Sequence, residues 1–78
     1  MKVLLYGRLA EAIGTEVELD AAAGCSVAEV RKRLGEAHPA AEESLKRSRA
    51  LIGDSAVGDD RVVTAADRVQ FLPPVSGG

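Results

Sequence analysis

Ser26-Val27-Ala28-Glu29-Val30-Arg31-Lys32-Arg33-Leu34-Gly35-Glu36-Ala37 is the stretch that dictates how the remaining chain must be arranged. Ser26 followed three residues later by Glu29 is a capping box: it offers acceptors to the amides that a helix start leaves unpaired, and it predicts a helix from Val27. Val27, Val30, Leu34 and Ala37 recur at helical spacing on one face, with Arg31, Lys32 and Arg33 largely opposite. His38-Pro39 ends the helix, because the residue before a proline is pushed out of the α region. A helix with one apolar stripe must bury it against another element, and the segments on both sides read as strands.

Upstream, Lys2 to Arg8 is rich in β-favouring types and predicts a first strand, with Val3 and Leu5 on one face and Leu4 and Tyr6 on the other. Leu9 to Ile13 fits a helical turn closed by Gly14. Thr15 to Asp20 alternates, placing Val17 and Leu19 inward and its acids in solvent. The short connection suits an antiparallel pair with the first strand, and Ala21 to Cys25 reads as a loop. Downstream, Ala40 to Arg47 fits a second, shorter helical piece. Ala50-Leu51-Ile52 after Arg49 reads as a third strand, followed by a turn-rich segment from Gly53 to Asp60. Short strands are expected around Ser55 to Val57 and near Arg61 to Val63. After a turn over Thr64 to Asp67, Arg68 to Leu72 forms the last strand, with Val69 and Phe71 inward. The fold class is α+β: a sheet of four to five strands covered on one face by one main helix. A packed domain occupies residues 1–72, and residues 73–78 form an extended tail.

Composition narrows the function classes. The chain has 78 residues, 46% hydrophobic and 28% charged, as in an ordinary globular domain. No apolar run reaches the length of a membrane span, and the start lacks the pattern of a signal peptide. A net charge of −2 without a basic block speaks against nucleic acid. Cys25 is the only cysteine, so a reducing cytoplasm is the expected setting. One histidine and one cysteine give no zinc or iron–sulfur spacing, and no phosphate-cradling glycine loop or nucleophile elbow occurs. His38 reads as a solvated capping residue, Cys25 as an inert small residue, and Arg31-Lys32-Arg33 as a solvated helix face. A self-contained enzyme is not expected.

Chemistry remains available at the end of the chain, in Phe71-Leu72-Pro73-Pro74-Val75-Ser76-Gly77-Gly78. Pro73-Pro74 fixes two φ angles and removes two donors, so the last strand should stop there and the tail should leave as a stiff arm. From Pro73 to Gly78 an extended chain reaches roughly 20 Å, enough to enter another protein's site. Gly77 and Gly78 contribute little to a fold, but the Gly78 carboxylate is open to attack from any side. If the first and last strands are neighbours, Leu4, Tyr6 and Leu72 share the sheet face that the helix does not cover. An apolar patch at the root of such an arm suggests a docking surface.

The segment Val3-Leu4-Leu5-Tyr6-Gly7-Arg8-Leu9-Ala10-Glu11 with Ile13-Gly14, the Ser26-Val27 helix start, and above all the Phe-Leu-Pro-Pro-Val-Ser-Gly-Gly ending together resemble the small subunit of molybdopterin synthase, the MoaD family. The resemblance implies a ubiquitin-like β-grasp fold with the first and last strands parallel at the sheet centre. It implies a sulfur carrier: an ATP- and magnesium-dependent adenylating enzyme of the MoeB type activates Gly78, and a thiocarboxylate is then formed there. The chain itself would bind no cofactor or metal. Its charged form would dock on the large catalytic subunit through Leu4, Tyr6, Phe71 and Leu72, giving a heterotetramer. Pro73, Pro74, Val75, Ser76 and Gly77 would thread Gly78 into the partner, where sulfur passes to cyclic pyranopterin monophosphate in molybdenum cofactor biosynthesis. Three alternatives stay open: a thiocarboxylate carrier for thiamine thiazole or cysteine, a ubiquitin-like protein modifier joined to lysine, and an adaptor domain with an inert tail.

Overall fold

A computed structural model of the chain describes residues 1–20 and 24–73. The element order is β1 (Lys2–Leu5), α1 (Gly7–Ile13), β2 (Glu16–Glu18), β3 (Cys25–Ser26), α2 (Val27–Ala37), a 3-10 turn (Pro39–Ala41), α3 (Glu42–Arg47), β4 (Arg49–Ile52), β5 (Ser55–Val57), β6 (Val62–Val63) and β7 (Arg68–Leu72). Five strands form one mixed sheet in the order β2-β1-β7-β4-β5. β1 and β7 lie side by side and parallel, in register from Lys2 opposite Arg68 to Leu5 opposite Phe71. β2 is antiparallel to β1, and β4 is antiparallel to both β7 and β5. This is the β-grasp arrangement, with the first and last strands paired at the sheet centre.

The first strand is shorter than its β-favouring composition predicts. Extended backbone stops at Tyr6, and Gly7 turns to a φ of +58°, from which α1 begins. Only glycine enters that region without steric cost, so its freedom at position 7 outweighs the strand preference of the residues around it. α1 ends at Gly14, whose N–H donates to the Ala10 carbonyl at 2.8 Å.

α2 starts where the capping box places it: the Ser26 hydroxyl accepts from the Glu29 amide at 3.2 Å. The next orphan donors are satisfied from outside the helix, Val27 N–H by the Arg61 carbonyl and Ala28 N–H by that of Asp59. Val27, Val30 and Leu34 are buried as expected, whereas Ala37 is exposed. Gly35 takes the last place on the inner face because Glu42 packs over it; a Cβ there would sit 3.2 Å from the Glu42 side chain.

α2 is the longest of three helices rather than the sole cover. Leu9 of α1 and Leu45 of α3 are each at most 1% exposed and complete the core with Val3, Leu5, Val27, Val30, Leu34, Val63, Val69 and Phe71. Val17 and Leu19 pack against its margin. Cys25, expected in a loop, belongs to β3, which pairs with β6 as a small second sheet through Cys25 opposite Val63. That pairing links residues far apart in sequence and leaves no local signature.

Arg31 also departs from the solvated face assigned to it. Its guanidinium lies 5.1 Å from the centre of the Phe71 ring, donates from Nε to Asp59 Oδ1 at 2.9 Å, and donates from Nη1 to Ser48 Oγ at 2.6 Å and to the Leu45 carbonyl. Helix α2 is thereby tied to α3, β7 and the segment before β6. Arg33 does remain on the surface, 3.6 Å from Glu29 one turn earlier.

Candidate functional site

The strand that ends the described chain begins its outer face at Arg68 and carries it through Gln70 to Leu72, while Val69 and Phe71 turn to the core. Register then fixes the neighbours. Leu4 stands beside Gln70, Gln70 opposite Leu51, and Leu51 opposite Ala56, giving one row across four strands. Leu72 lies in the next row, opposite Arg49. Leu4, Leu51 and Leu72 are half-buried, and Tyr6, just past β1, is 40% exposed. Among the described residues no helix covers this face; the three helices found there place their buried side chains in the core, on the sheet's other face.

Gln70 is the polar centre of this apolar row. Its Nε2 donates to the Gly53 carbonyl at 3.2 Å, and the Tyr6 hydroxyl makes a long contact of 3.5 Å with its Oε1. Both ends of the amide are thus directed sideways, and the tyrosine reaches back over the face. Arg49 and Arg68 add exposed positive charge at its margins, whereas Lys2 is engaged by Glu16 at 3.5 Å on the β2 side.

Of the residues assigned to docking, Leu4, Tyr6 and Leu72 come together on this face. Phe71 does not join them: it is 0% exposed, on the opposite side of the sheet beneath Arg31, and presents nothing to a partner. Strand alternation accounts for this, since adjacent residues of β7 must point to opposite faces. Leu51 is the face residue that sequence reasoning passed over, although Ala50 inward and Leu51 outward follow from the same alternation. Gly7 is the second. It lies against Pro73, the first residue beyond β7, so closely that a Cβ on Gly7 would stand 2.8 Å from Pro73 Cγ. Pro74, Val75, Ser76, Gly77 and Gly78 lie outside the described residues.

Elsewhere the described residues offer little chemistry. They contain no group of three or more His, Cys, Asp or Glu that could hold a metal ion. Cys25 is 7% exposed, and His38 caps α2 with its backbone N–H bonded to the Leu34 carbonyl. A groove between α2 and α3 is lined by Ala28, Arg31, Lys32, Glu42, Leu45, Lys46 and Asp59, but its arginine is consumed by Asp59, Ser48 and the Leu45 carbonyl. Among the described residues no helix is long and apolar enough to cross a membrane.

Comparison with known proteins points the same way as the geometry. The model of the ThiS family matches residues 3–78, a span that includes the outer-face strands and the whole Pro-Pro-Val-Ser-Gly-Gly ending. Small archaeal modifier protein 1 (SAMP1) of Haloferax volcanii is 27% identical over 99% of this chain and 97% of its own, with a TM-score of 0.73. SAMP1 of Methanosarcina acetivorans is 25% identical over 99% of this chain and 94% of its own, with a TM-score of 0.75. A Pyrococcus furiosus protein provisionally named molybdopterin converting factor, subunit 1, shares the fold at 20% identity, with a TM-score of 0.73 over 95% of both chains. No curated protein matches the chain.

Proposed function

The chain belongs to the ThiS family, and on that premise we propose that it is a sulfur carrier whose working group is the Gly78 carboxylate. A carboxylate is a poor electrophile, so an ATP-dependent enzyme of the MoeB type must first adenylate it; the outer sulfur of a persulfide then displaces AMP, and a thiol reduces the resulting acyl disulfide to leave a thiocarboxylate and a mixed disulfide. The thiocarboxylate is ionised at neutral pH and is a better nucleophile than the oxygen acid it replaces. Carried covalently into a partner's site, it acts at high effective concentration. Paired glycines suit a narrow channel, and Pro73-Pro74 reduces the entropy lost on threading.

The observation that carries this reading is the family match running through Gly78. The apolar outer face, ending at the root of the tail, supports it as the surface on which partners sit. The acceptor we propose is the large subunit of molybdopterin synthase, with cyclic pyranopterin monophosphate as the sulfur recipient. The Phe-Leu-Pro-Pro-Val-Ser-Gly-Gly ending favours that pathway over thiazole or cysteine synthesis. A second reading, a protein modifier joined through Gly78 to lysine, is favoured by the 27% identity to SAMP1 of Haloferax volcanii.

Reconstitution separates the readings. Charged protein mixed with the large subunit and cyclic pyranopterin monophosphate should yield molybdopterin. Charged protein that gives no molybdopterin but becomes linked to lysines would replace the first reading with the second.

A further inference from the structure

Leu5 is in register with Phe71 across the parallel pair, so two residues further on Gly7 comes level with Pro73. There the two strands leave the sheet side by side, one turning into α1 and the other becoming the tail. The contact between them is tight: an ideal Cβ on Gly7 would lie 2.8 Å from Pro73 Cγ, 3.6 Å from Cδ and 3.8 Å from Cβ. Carbon atoms rest about 3.5–4.0 Å apart, so any L side chain would drive the ring back by roughly 0.7–1.2 Å. Gly7 is exposed and lends nothing to the core, and β7 is already held by Val69 and Phe71, both 0% exposed. What the contact determines is the point from which the residues after Pro73 start.

We propose that Gly7 is a positioning residue for the C-terminal glycine: its bare Cα seats the Pro73 ring and fixes the direction in which the chain leaves the sheet. A ring shift of roughly 0.8 Å, one Cα step of about 3.8 Å from Leu72, turns the exit direction by about 12°. Whatever the chain carries beyond Pro73 is displaced with it. Misplacing a reacting group by about 1 Å can cost a hundredfold in rate; bending at Gly77 and Gly78 recovers part of it, leaving an expected loss of about tenfold. The inference deepens the carrier reading and rests on it only in its enzymatic arm.

The test is a double-mutant cycle on the full chain with Gly7→Ala, Pro73→Ala and both together. Gly7→Ala should lower kcat/KM for adenylation of Gly78 about tenfold in the native background and by less than twofold in the Pro73→Ala background, where the opposing ring atoms are gone. Equal losses in both backgrounds would mean that Gly7 acts through its φ angle alone, and the proposal would fall. NMR of the free proteins supplies a readout independent of any enzyme. Native protein should show cross-relaxation between the Gly7 α-protons and the Pro73 ring. Gly7→Ala should shift the resonances of residues 72–78 while leaving those of Val3 and Val69 in place. Unchanged tail resonances would overturn the seat. Native protein that is never adenylated would instead sink the carrier reading, with the NMR result still deciding the role of Gly7.

Discussion

The two faces of the central strands are built from alternate residues of the same segments, yet they have opposite characters. On the inner face Val3, Leu5, Val69 and Phe71 are at most 1% exposed and meet three helices. On the outer face Leu4, Leu51, Leu72 and Tyr6 surround a glutamine that is hydrogen-bonded to its own neighbours. One face is closed by the helices, whereas no helix among the described residues covers the other. Under the carrier reading proposed above, the half-buried leucines and exposed tyrosine of the outer face serve recognition rather than stability.

Phe71→Ala should show the largest effect and mark the inner face as the stabilising one. It removes the largest fully buried side chain and the platform beneath Arg31, at a cost of about 3–5 kcal/mol. A domain of this size has a total stability of roughly 4–12 kcal/mol, so urea denaturation should find the midpoint sharply lowered, or the variant unfolded if the parent lies at the lower end of that range. A variant within 1 kcal/mol of the parent would contradict the packing described. Arg31→Ala should come next, at about 2–3 kcal/mol by the same measurement, because it removes the bonds to Ser48 and the Leu45 carbonyl together with the contact on Phe71. An effect near zero would return Arg31 to the solvated face its sequence neighbours suggest.

Leu51→Asp sharpens the comparison from the other side. Its stability cost should stay at or below about 1 kcal/mol, since the side chain is only half-buried. Affinity for the adenylating enzyme, followed by calorimetric titration, should fall at least about tenfold as a charge enters the middle of the apolar row. Normal affinity in this variant would show that the outer face is not where the partner sits.

Much of this division is legible in the sequence. The cap at Ser26, the stripe of Val27, Val30 and Leu34, and the alternation of Arg68 to Leu72 are local patterns, and each specifies its element almost to the residue. Other features depend on contacts that no local window contains. β1 ends early because Gly7 takes a positive φ, and the residue packed against it, Pro73, lies on the far side of the sequence. Arg31 reads as one of three solvated bases until α3 and the segment around Asp59 close around it. Leu51 was readable from alternation, but it becomes a face residue only once β4 is known to lie beside β7. The outer face was therefore half legible: its two central strands by alternation, its third strand and the contact of Gly7 with Pro73 only by topology.

The central claim is that the folded body carries and Gly78 reacts. The most direct measurement is the intact mass of the native protein and of a variant lacking Gly78, each incubated with the adenylating enzyme, ATP, magnesium, a persulfide donor and a thiol reductant that cleaves the acyl disulfide first formed. The native mass should rise by the difference between one sulfur and one oxygen atom. The truncated mass should not change, although its thermal midpoint matches the parent's. A native protein that gains no sulfur, or a truncated one that does, would contradict the claim.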